Sequence, residues 1–271
     1  MNASGLYKNL QSDSALEIVD FSIAKPASEK NIPSNPDRVP LYGDLHVHTK
    51  YSFDAYIFGV TATPYDAYKY AIGEAIKHPL GFDMKLKEPL DFYAVTDHGF
   101  YMGMIENYAD TSSEMSKNEW TKPIHNLNRP ENVTVESLGV RANLFSSVLT
   151  QAIIKPYPYW HPKVWKAWLT NNIQVALQSF DYDVHKSAWA DVANAAEEFN
   201  DPGNFTTFIG YEFTTSTDVE GGNLHRNVIF DSSKAPIRPW TRIDSLNPED
   251  LWTWMDGLRD QGLDSLAMPH N

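Results

Sequence analysis

Two stretches decide the fold: VPLYGDLHVHT at residues 39–49 and LDFYAVTDHG at residues 90–99. The first alternates apolar and polar side chains, and the second is almost continuously apolar over its first six residues, so both are typical of β-strands. Between them, PYDAYKYAIGEAIKH at residues 64–78 has Thr63 as a capping residue and Pro64 at the first helical position, which predicts a helix. A strand, a helix and another strand in succession predict an α/β fold with a mainly parallel sheet.

Two more helices and three more strands are predicted along the rest of the chain, and two of these strands are close enough in sequence to form a hairpin. These elements are an amphipathic helix in SAWADVANAAEEFN (187–200), strands in NFTTFIGYEFTTS (204–216) and LHRNVIFD (224–231), a helix in PEDLWTWMDGLRDQG (248–262) capped by Asn247, and a strand in LDSLAMPHN (263–271). The link TDVEGG between the first two of these strands is shorter than the roughly dozen residues of a parallel crossover. These two strands are therefore predicted to form an antiparallel hairpin, within a total of about five strands.

The chain divides into a polar arm and one main domain. Residues 1–38 are polar and rich in Pro, Ser and Asn, without a helical or strand period, so we expect an arm lying on the surface. Residues 39–271 form the main domain, in which residues 100–200 are a mixed and mostly helical insertion. The insertion contains three tryptophans that either wall a pocket or belong to the core: Trp160, Trp165 and Trp168.

The composition excludes several classes of function. Of 271 residues, 42% are hydrophobic, and 22 Lys and Arg stand against 35 Asp and Glu, so the net charge of −13 argues against nucleic-acid binding. The sequence has no apolar run near the ~20 residues of a membrane span and no P-loop signature. The N-terminus lacks the basic and apolar regions of a secretory signal, which leaves the cytoplasm as the default compartment and the periplasm as the alternative. The expected partner is a small molecule, not nucleic acid or a membrane, and the oligomeric state is left open.

Cysteine is absent, so any metal must be held by His, Asp and Glu. His46, His48, His98 and His270 lie at the ends of predicted strands, and Glu212 lies near the end of another. The carboxyl ends of strands in α/β barrels meet at one rim, and residues two apart on a strand share a face. Several imidazoles and a carboxylate at one rim predict a site for zinc, manganese or iron.

The remaining histidines divide into one candidate ligand and four structural residues. His225 precedes its strand, but the predicted hairpin would place it beside the end of the strand that carries Glu212. The others lie in helical or loop segments without a partner motif, and we predict that they are hydrogen-bonded structural residues: His78, His125, His161 and His185.

Four residues beside the histidines are expected to support the site. Asp44 is predicted to fix the orientation of a metal-binding histidine without binding the metal itself. Asp97 either does the same or is itself a metal ligand. Arg226 either clamps an anionic substrate or belongs to a structural ion pair. Asn271 either orients the neighbouring imidazole or contacts substrate.

The motifs as a set resemble a known superfamily. GDLHVHTKYSFDA (43–55), VTDHG (95–99), GYEF (210–213) and MPHN (268–271), in this order, resemble the PHP (polymerase and histidinol phosphatase) superfamily. Together with LDFYAVTDHG, FTTFIGYEFT, NLHRNVIF and PEDLWTWMD, they look more narrowly like the group known as domain of unknown function 3604, over about residues 41–271. The resemblance implies a distorted seven-stranded (β/α) barrel with two or three divalent cations at the strand ends.

The resemblance also implies which residues hold the cations. The implied ligands are His46, His48, Asp54, His98, Glu212, His225 and His270. Glu212 takes the place of a bridging carboxylate, and Asp54 fills a position that the superfamily occupies with Asp or His. The superfamily's last motif, a D-x-H, would follow Asn271, so the chain is expected to be the N-terminal part of a longer protein, with an incomplete barrel and an incomplete site.

The implied activity is metal-dependent hydrolysis, with phosphoesters as the expected substrates and a hydroxide held between the cations as the expected nucleophile. Asp97, or His270 if it is not a ligand, would move the proton, and Arg226 would neutralise the charge of an anionic substrate. One alternative is hydrolysis of an amide or another ester, because the same cations polarise a carbonyl. The other is a non-catalytic metal-binding domain that lacks the last ligand motif.

Overall fold

The structure, a computed structural model, describes residues 15–24, 39–152, 180–215, 224–245 and 247–270. Several residues singled out in the sequence lie outside this part of the chain: Trp160, His161, Trp165, Trp168 and Asn271.

The described residues form strands and helices in a mixed order. The strands are β1 (Ile18–Asp20), β2 (Gly43–Val47), β3 (Ile76–Lys77), β4 (Asp83–Met84), β5 (Phe92–Val95), β6 (Thr206–Thr207), β7 (Gly210–Phe213), β8 (Arg226–Phe230), β9 (Lys234–Pro236) and β10 (Ser265–Pro269). The α-helices are α1 (Phe53–Ile57), α2 (Pro64–Ala71), α3 (Met104–Ala109), α4 (Leu138–Ala152), α5 (Tyr182–Phe199) and α6 (Asp250–Arg259). Short 3₁₀ helices span Glu114–Lys117, Glu119–Ile124, Pro130–Asn132 and Val135–Ser137. Among the described residues, no helix is long and apolar enough to cross a membrane.

The chain has a mixed α/β fold with several small sheets. A parallel sheet has the order β2-β5-β6, and an antiparallel sheet has the order β10-β8-β7. Two antiparallel pairs, β1 with β9 and β3 with β4, complete the described sheets. The expectation of a mainly parallel sheet is therefore wrong, because β8 pairs antiparallel with β7 on one side and with β10 on the other. The sheets of the described residues do not close into a barrel.

The two three-stranded sheets adjoin at the residues that follow β5. The N–H of Glu212 donates to the carbonyl of Asp97 at 2.9 Å, and the N–H of Gly99 donates to the carbonyl of Glu212 at 2.8 Å. These bonds form an isolated parallel bridge between His98 and Glu212. A side chain at Gly99 would begin 2.6 Å from the ring of Tyr211, so the close approach of the strands requires glycine here. The polar ends of both sheets are thereby brought to one place.

The boundaries of two helices agree only in part with those predicted from the sequence. Thr63 caps α2 in a reciprocal capping box with Asp66, as the sequence predicts. The helix ends at Ala71, however, and Ile76–Lys77 forms β3, so the predicted extension to residue 78 is wrong. Asn247 is also not the cap of its helix: it lies in the preceding turn and accepts a hydrogen bond from the N–H of Glu249 at 3.2 Å.

The main core lies between α5, α6 and the inner faces of the strands. Trp189 of α5 is fully buried, contacts Tyr211 and Phe230 edge-on, and donates its indole N–H to the carbonyl of Pro236 at 2.6 Å. The predicted helix of residues 187–200 is thus confirmed, and it begins five residues earlier, at Tyr182.

The N-terminal segment is part of the packed structure where it is described. Ile18–Asp20 pairs with Lys234–Pro236, and the buried Ala15 accepts a hydrogen bond at its carbonyl from the indole of Trp254 at 2.9 Å. The expectation that residues 1–38 contain no strand is therefore wrong for β1. Pairing of three residues of β1 with β9 holds this part of the segment in place, which its polar composition does not predict.

Candidate metal centre

The strand directions bring the predicted ligands to one place. β2 and β5 are parallel, so His46 and His48 at the end of one strand lie near His98 beyond the end of the other. β7 and β10 are both antiparallel to β8, so these two strands run in the same direction and place Glu212 and His270 at one edge. The hairpin prediction is confirmed: Phe213 pairs with Arg226, which leaves His225 beside the end of β7.

Glu212 lies at the centre of the cluster, and its carboxylate faces five imidazoles. Its Oε2 is 2.8 Å from His48 Nε2, 3.3 Å from His46 Nε2 and 3.3 Å from His98 Nδ1, and its Oε1 is 2.5 Å from His225 Nδ1 and 3.4 Å from His270 Nε2. Since the histidines come from four separate segments of the chain, this contact depends on the whole arrangement of strands and not on one local motif.

The carboxylate of Glu212 is held in its charged form. Burial by itself would raise its pKa, but the contacts with His225 and His48 and the neighbouring imidazole charges outweigh burial and lower the pKa below its usual value. Its side chain is 1% exposed, and Oε1 makes no well-formed hydrogen bond with the described residues, although two imidazole nitrogens lie close. A buried anionic oxygen of this kind suits coordination to a cation.

Asp54 adds a second carboxylate on one side of the cluster. It lies in the first turn of α1, with Oδ1 3.4 Å from His48 Nδ1 and Oδ2 3.4 Å from His98 Nε2. Burial would raise the pKa of Asp54, but its hydrogen bonds to the two histidines lower it overall. Burial would conversely lower the pKa of His48, and its hydrogen bonds to Asp54 and Glu212 raise it to about 10. Burial lowers the pKa of His98 and of His270.

Two ligand groups share the central carboxylate. The first contains His46, Glu212 and His270, and the second contains His48, His98 and Glu212; within each group, the donor atoms lie within 4.8 Å of one another. Each group could hold a divalent cation, and Glu212 could bridge the two. Nitrogen and oxygen donors without thiolate suit zinc, manganese or iron.

The two groups differ in their exposure to solvent. The side chain of His46 is 43% exposed, whereas those of His48 and His98 are 18% and 7% exposed. The group of His46 and His270 therefore faces the solvent, and the group of His48 and His98 lies behind it. A ligand from solution would reach the first group before the second.

Two hydroxyl residues that the sequence analysis missed contact the ligand rings. Ser52 Oγ lies 3.0 Å from His48 Nδ1, and Thr214 Oγ1 lies 2.5 Å from His98 Nδ1. Thr214 follows Glu212 by two residues, so the two-residue period of an extended chain could have identified it. Ser52 precedes a helix, and its sequence position alone would have predicted an ordinary helix cap. The ring of Phe53 stacks on that of His98 at a centroid distance of 4.8 Å.

Asp97 and Asp44 contact the backbone near the ligands. Asp97 is fully buried; its Oδ1 accepts from the N–H of Thr49 at 2.5 Å and its Oδ2 from the hydroxyl of Thr49 at 2.6 Å. Burial raises the pKa of Asp97 to about 6 against the lowering effect of these bonds. Asp44 accepts from the N–H of His46 at 2.9 Å, so it orients the backbone of this residue and not the ring.

Arg226 is not brought to the cluster. Alternate residues of a strand face opposite sides, and Asn227, which bonds to the carbonyl of Leu45 at 2.7 Å, shares the side of His225. The guanidinium of Arg226 instead lies 4.8 Å from the ring centroid of Trp252 on α6, and donates to the carbonyl of Leu224. The predicted clamp for an anionic substrate therefore lies on the wrong face of the sheet. Asn271, the other predicted supporting residue, lies outside the described residues.

The histidines predicted to be structural have local partners where they are described. His78 stacks on Phe82 and accepts from the N–H of Leu80 at 3.1 Å, while His125 contacts the carbonyl of Ser116 at 3.0 Å. His185 is buried in α5.

Comparison with known proteins gives one match. The family model described as "Protein of unknown function (DUF3604)" matches residues 35–271. No curated protein matches the chain, and no solved structure does.

Proposed function

We propose that this chain, which belongs to the family described as Protein of unknown function (DUF3604), is a metal-dependent hydrolase that acts on small phosphoesters. The order of its histidine motifs supports a place in the PHP superfamily, with a distorted (β/α)₇ barrel. The observation that carries the proposal is the buried carboxylate of Glu212, which lies 2.5–3.4 Å from nitrogens of five histidines.

The residues of the cluster would form two cation sites that share one ligand. His46 and His270 would hold a solvent-facing cation, His48 and His98 would hold an inner one, and Glu212 would bridge them, while Asp54 contacts the rings of His48 and His98 from the side. Bound divalent cations would supply Lewis acidity, which activates water at neutral pH and stabilises charge on the oxygens of an ester.

The chain's own residues determine access and charge at this site. Glu212 and Asp54 keep their negative charge, and this charge favours the binding of cations among the imidazoles. The exposed side of His46 is where a small substrate would approach. The net charge of −13 repels an anionic substrate at long range, and bound cations would reverse the sign of the local field.

The first test is the metal content of the purified protein, followed by titration with zinc and with manganese. We expect about two cations per chain, as in two-metal hydrolases. Glu212→Gln removes the shared anionic ligand while keeping the side-chain size, and should weaken metal binding by more than about 100-fold, because both groups lose a donor. His78→Ala is the matched control, since His78 stacks on Phe82 in a separate hairpin, and it should bind metal as the unchanged protein does.

The second test is hydrolysis of a panel of phosphomonoesters, phosphodiesters, carboxylic esters and amides with zinc or manganese present. We expect phosphoester hydrolysis that is lost in Glu212→Gln and retained in His78→Ala. Cleavage of amides or carboxylic esters alone would identify a non-phosphate hydrolase instead. Metal binding without hydrolysis of any substrate would identify a non-catalytic metal-binding domain.

A further inference from the structure

Ser52 occupies the capping position of a helix without capping it. It directly precedes α1, in the extended conformation that a capping residue adopts, yet its side chain makes no hydrogen bond to the N–H groups of the first turn. The N–H of Ala55 is instead bonded to the side chain of Asp54 at 2.7 Å. A serine at this position normally stabilises its helix, so its hydroxyl has been recruited for another contact.

The hydroxyl of Ser52 joins two of the candidate ligands. Its oxygen lies 3.0 Å from Nδ1 of His48 and accepts a hydrogen bond from the backbone N–H of His98 at 3.1 Å. Ser52 is fully buried, so water does not compete for these bonds. One oxygen atom therefore connects the ends of β2 and β5, which carry the two histidines of the inner group.

The contact is compatible with a proton on Nδ1 of His48, which would leave Nε2 to bind a cation. A hydroxyl oxygen has two lone pairs, so it can accept from the N–H of His98 and from an Nδ1–H of His48 together. With the proton on Nδ1, the lone pair of the ring lies on Nε2, the atom that is 2.8 Å from Glu212. Asp54 Oδ1 also faces Nδ1, at the longer distance of 3.4 Å.

We propose that Ser52 is a positioning residue of the metal centre: its hydroxyl holds the ring of His48 with Nε2 directed at the cation site and ties this ring to the backbone of His98. The inference rests on the proposed metal-binding function. It adds a residue that contacts neither cation nor substrate, and it explains why a short helix begins with a serine that does not cap it.

The test is a comparison of zinc affinity and histidine-ring spectra. In Ser52→Ala, we expect zinc affinity, measured by competition with a chelator, to fall by about 10- to 100-fold, the range found for residues that orient metal ligands. In the zinc-loaded unchanged protein, the Nδ1–H of His48 should give a slowly exchanging ring signal in nitrogen–proton correlation spectra, assigned by its absence in His48→Gln. In Ser52→Ala this signal should be lost or should move upfield, a change that general destabilisation does not produce.

Two further variants keep the test decisive. Ser116→Ala is the matched control, because Ser116 is also buried and bonds a backbone carbonyl at 2.8 Å, and it should leave zinc affinity within about twofold. Should Ser52→Ala fail to fold, Ser52→Gly removes the same hydroxyl, and glycine is tolerated before a helix. A folded variant with unchanged zinc affinity and an unchanged His48 signal would overturn this inference alone. An unchanged protein that binds no zinc or manganese would overturn the proposed function itself.

Discussion

Glu212 and Asp97 are both buried carboxylates, and their different neighbours give them opposite properties. Imidazoles surround Glu212 and lower its pKa, whereas Asp97 accepts hydrogen bonds from Thr49, and burial raises its pKa to about 6. Burial therefore does not by itself identify a reactive group. Glu212 has a charge environment suited to a cation, and Asp97 has one suited to fixing the turn that follows His48.

We predict that Asp97→Asn destabilises the fold and spares the candidate metal centre. The amide would keep one acceptor for Thr49 and would turn an N–H group toward the other donor, which costs about 1–3 kcal/mol at a buried site. Urea unfolding should show this loss, and zinc affinity should stay within about threefold, well below the effect of losing an orienting contact to a ligand. Unchanged stability combined with a large loss of zinc affinity would instead identify Asp97 as a ligand.

At the scale of single residues, spacing predicted some members of the site and failed for others. The two-residue period correctly put His46 and His48 on one face, and the short link between two strands correctly brought His225 to Glu212. The same period places Arg226 on the opposite face of its strand, away from the cluster. The structure was needed to show this, because the bond from Asn227 to the carbonyl of Leu45 identifies which face is which. Ser52 could not have been found, because its contacts depend on how β2 and β5 end in space.

At the scale of elements, the apolar pattern located strands without showing which strands they pair with. Residues 204–216 read as one strand, but Thr206–Thr207 pairs in parallel with β5, and Gly210–Phe213 pairs antiparallel with β8. An extended segment buried on both faces gives the same sequence signal in either sheet. The α/β class and the hairpin followed from the sequence, whereas the division into two sheets did not.

Arg141 of α4 joins the helical insertion to the helix that carries Asp54. Its guanidinium is buried and donates to the carbonyl of Ile57 at 2.7 Å, at the end of α1. It also donates within the insertion, to the carbonyls of Leu127 and Asn132 at 2.8 and 3.0 Å, and to the side chains of Asn128 and Ser137. A planar group with five N–H donors fits this set of acceptors, and an ammonium does not.

We predict that Arg141→Lys is strongly destabilising although it conserves the charge. A lysine has three donors on one atom, so at least two of the five acceptors, which are buried or partly buried, would lose their partner, at up to about 1–3 kcal/mol each. We expect a loss of roughly 2–4 kcal/mol in urea unfolding, with faster hydrogen exchange in residues 126–132. Arg129→Lys, at an exposed position of the same insertion, is the control and should change stability by less than about 0.5 kcal/mol. Equal effects of the two substitutions would contradict the assigned role of Arg141.

At the scale of the molecule, the candidate ligands are distributed over almost the whole main domain. His46 and His270 lie 224 residues apart in the sequence, yet their ring centroids are 4.0 Å apart. The cluster holds the parallel and antiparallel sheets together where they share a single bridge between His98 and Glu212. A cation bound here would contact both sheets, so binding should stabilise the fold as a whole and not one loop.

We therefore predict that zinc raises the thermal stability of the protein and that a chelator reverses the change. Free zinc at about 100 times its dissociation constant adds about 2.7 kcal/mol of stability, provided that the unfolded chain does not bind it. For a chain of this size, that free energy corresponds to a rise in Tm of roughly 5–10 °C. Glu212→Gln, which lacks the shared ligand, should show little or no rise under the same conditions, while His78→Ala should show the full one. An equal rise in Glu212→Gln would mean that zinc stabilises the protein without the proposed bridging ligand, because Glu212 is the residue that the two ligand groups share.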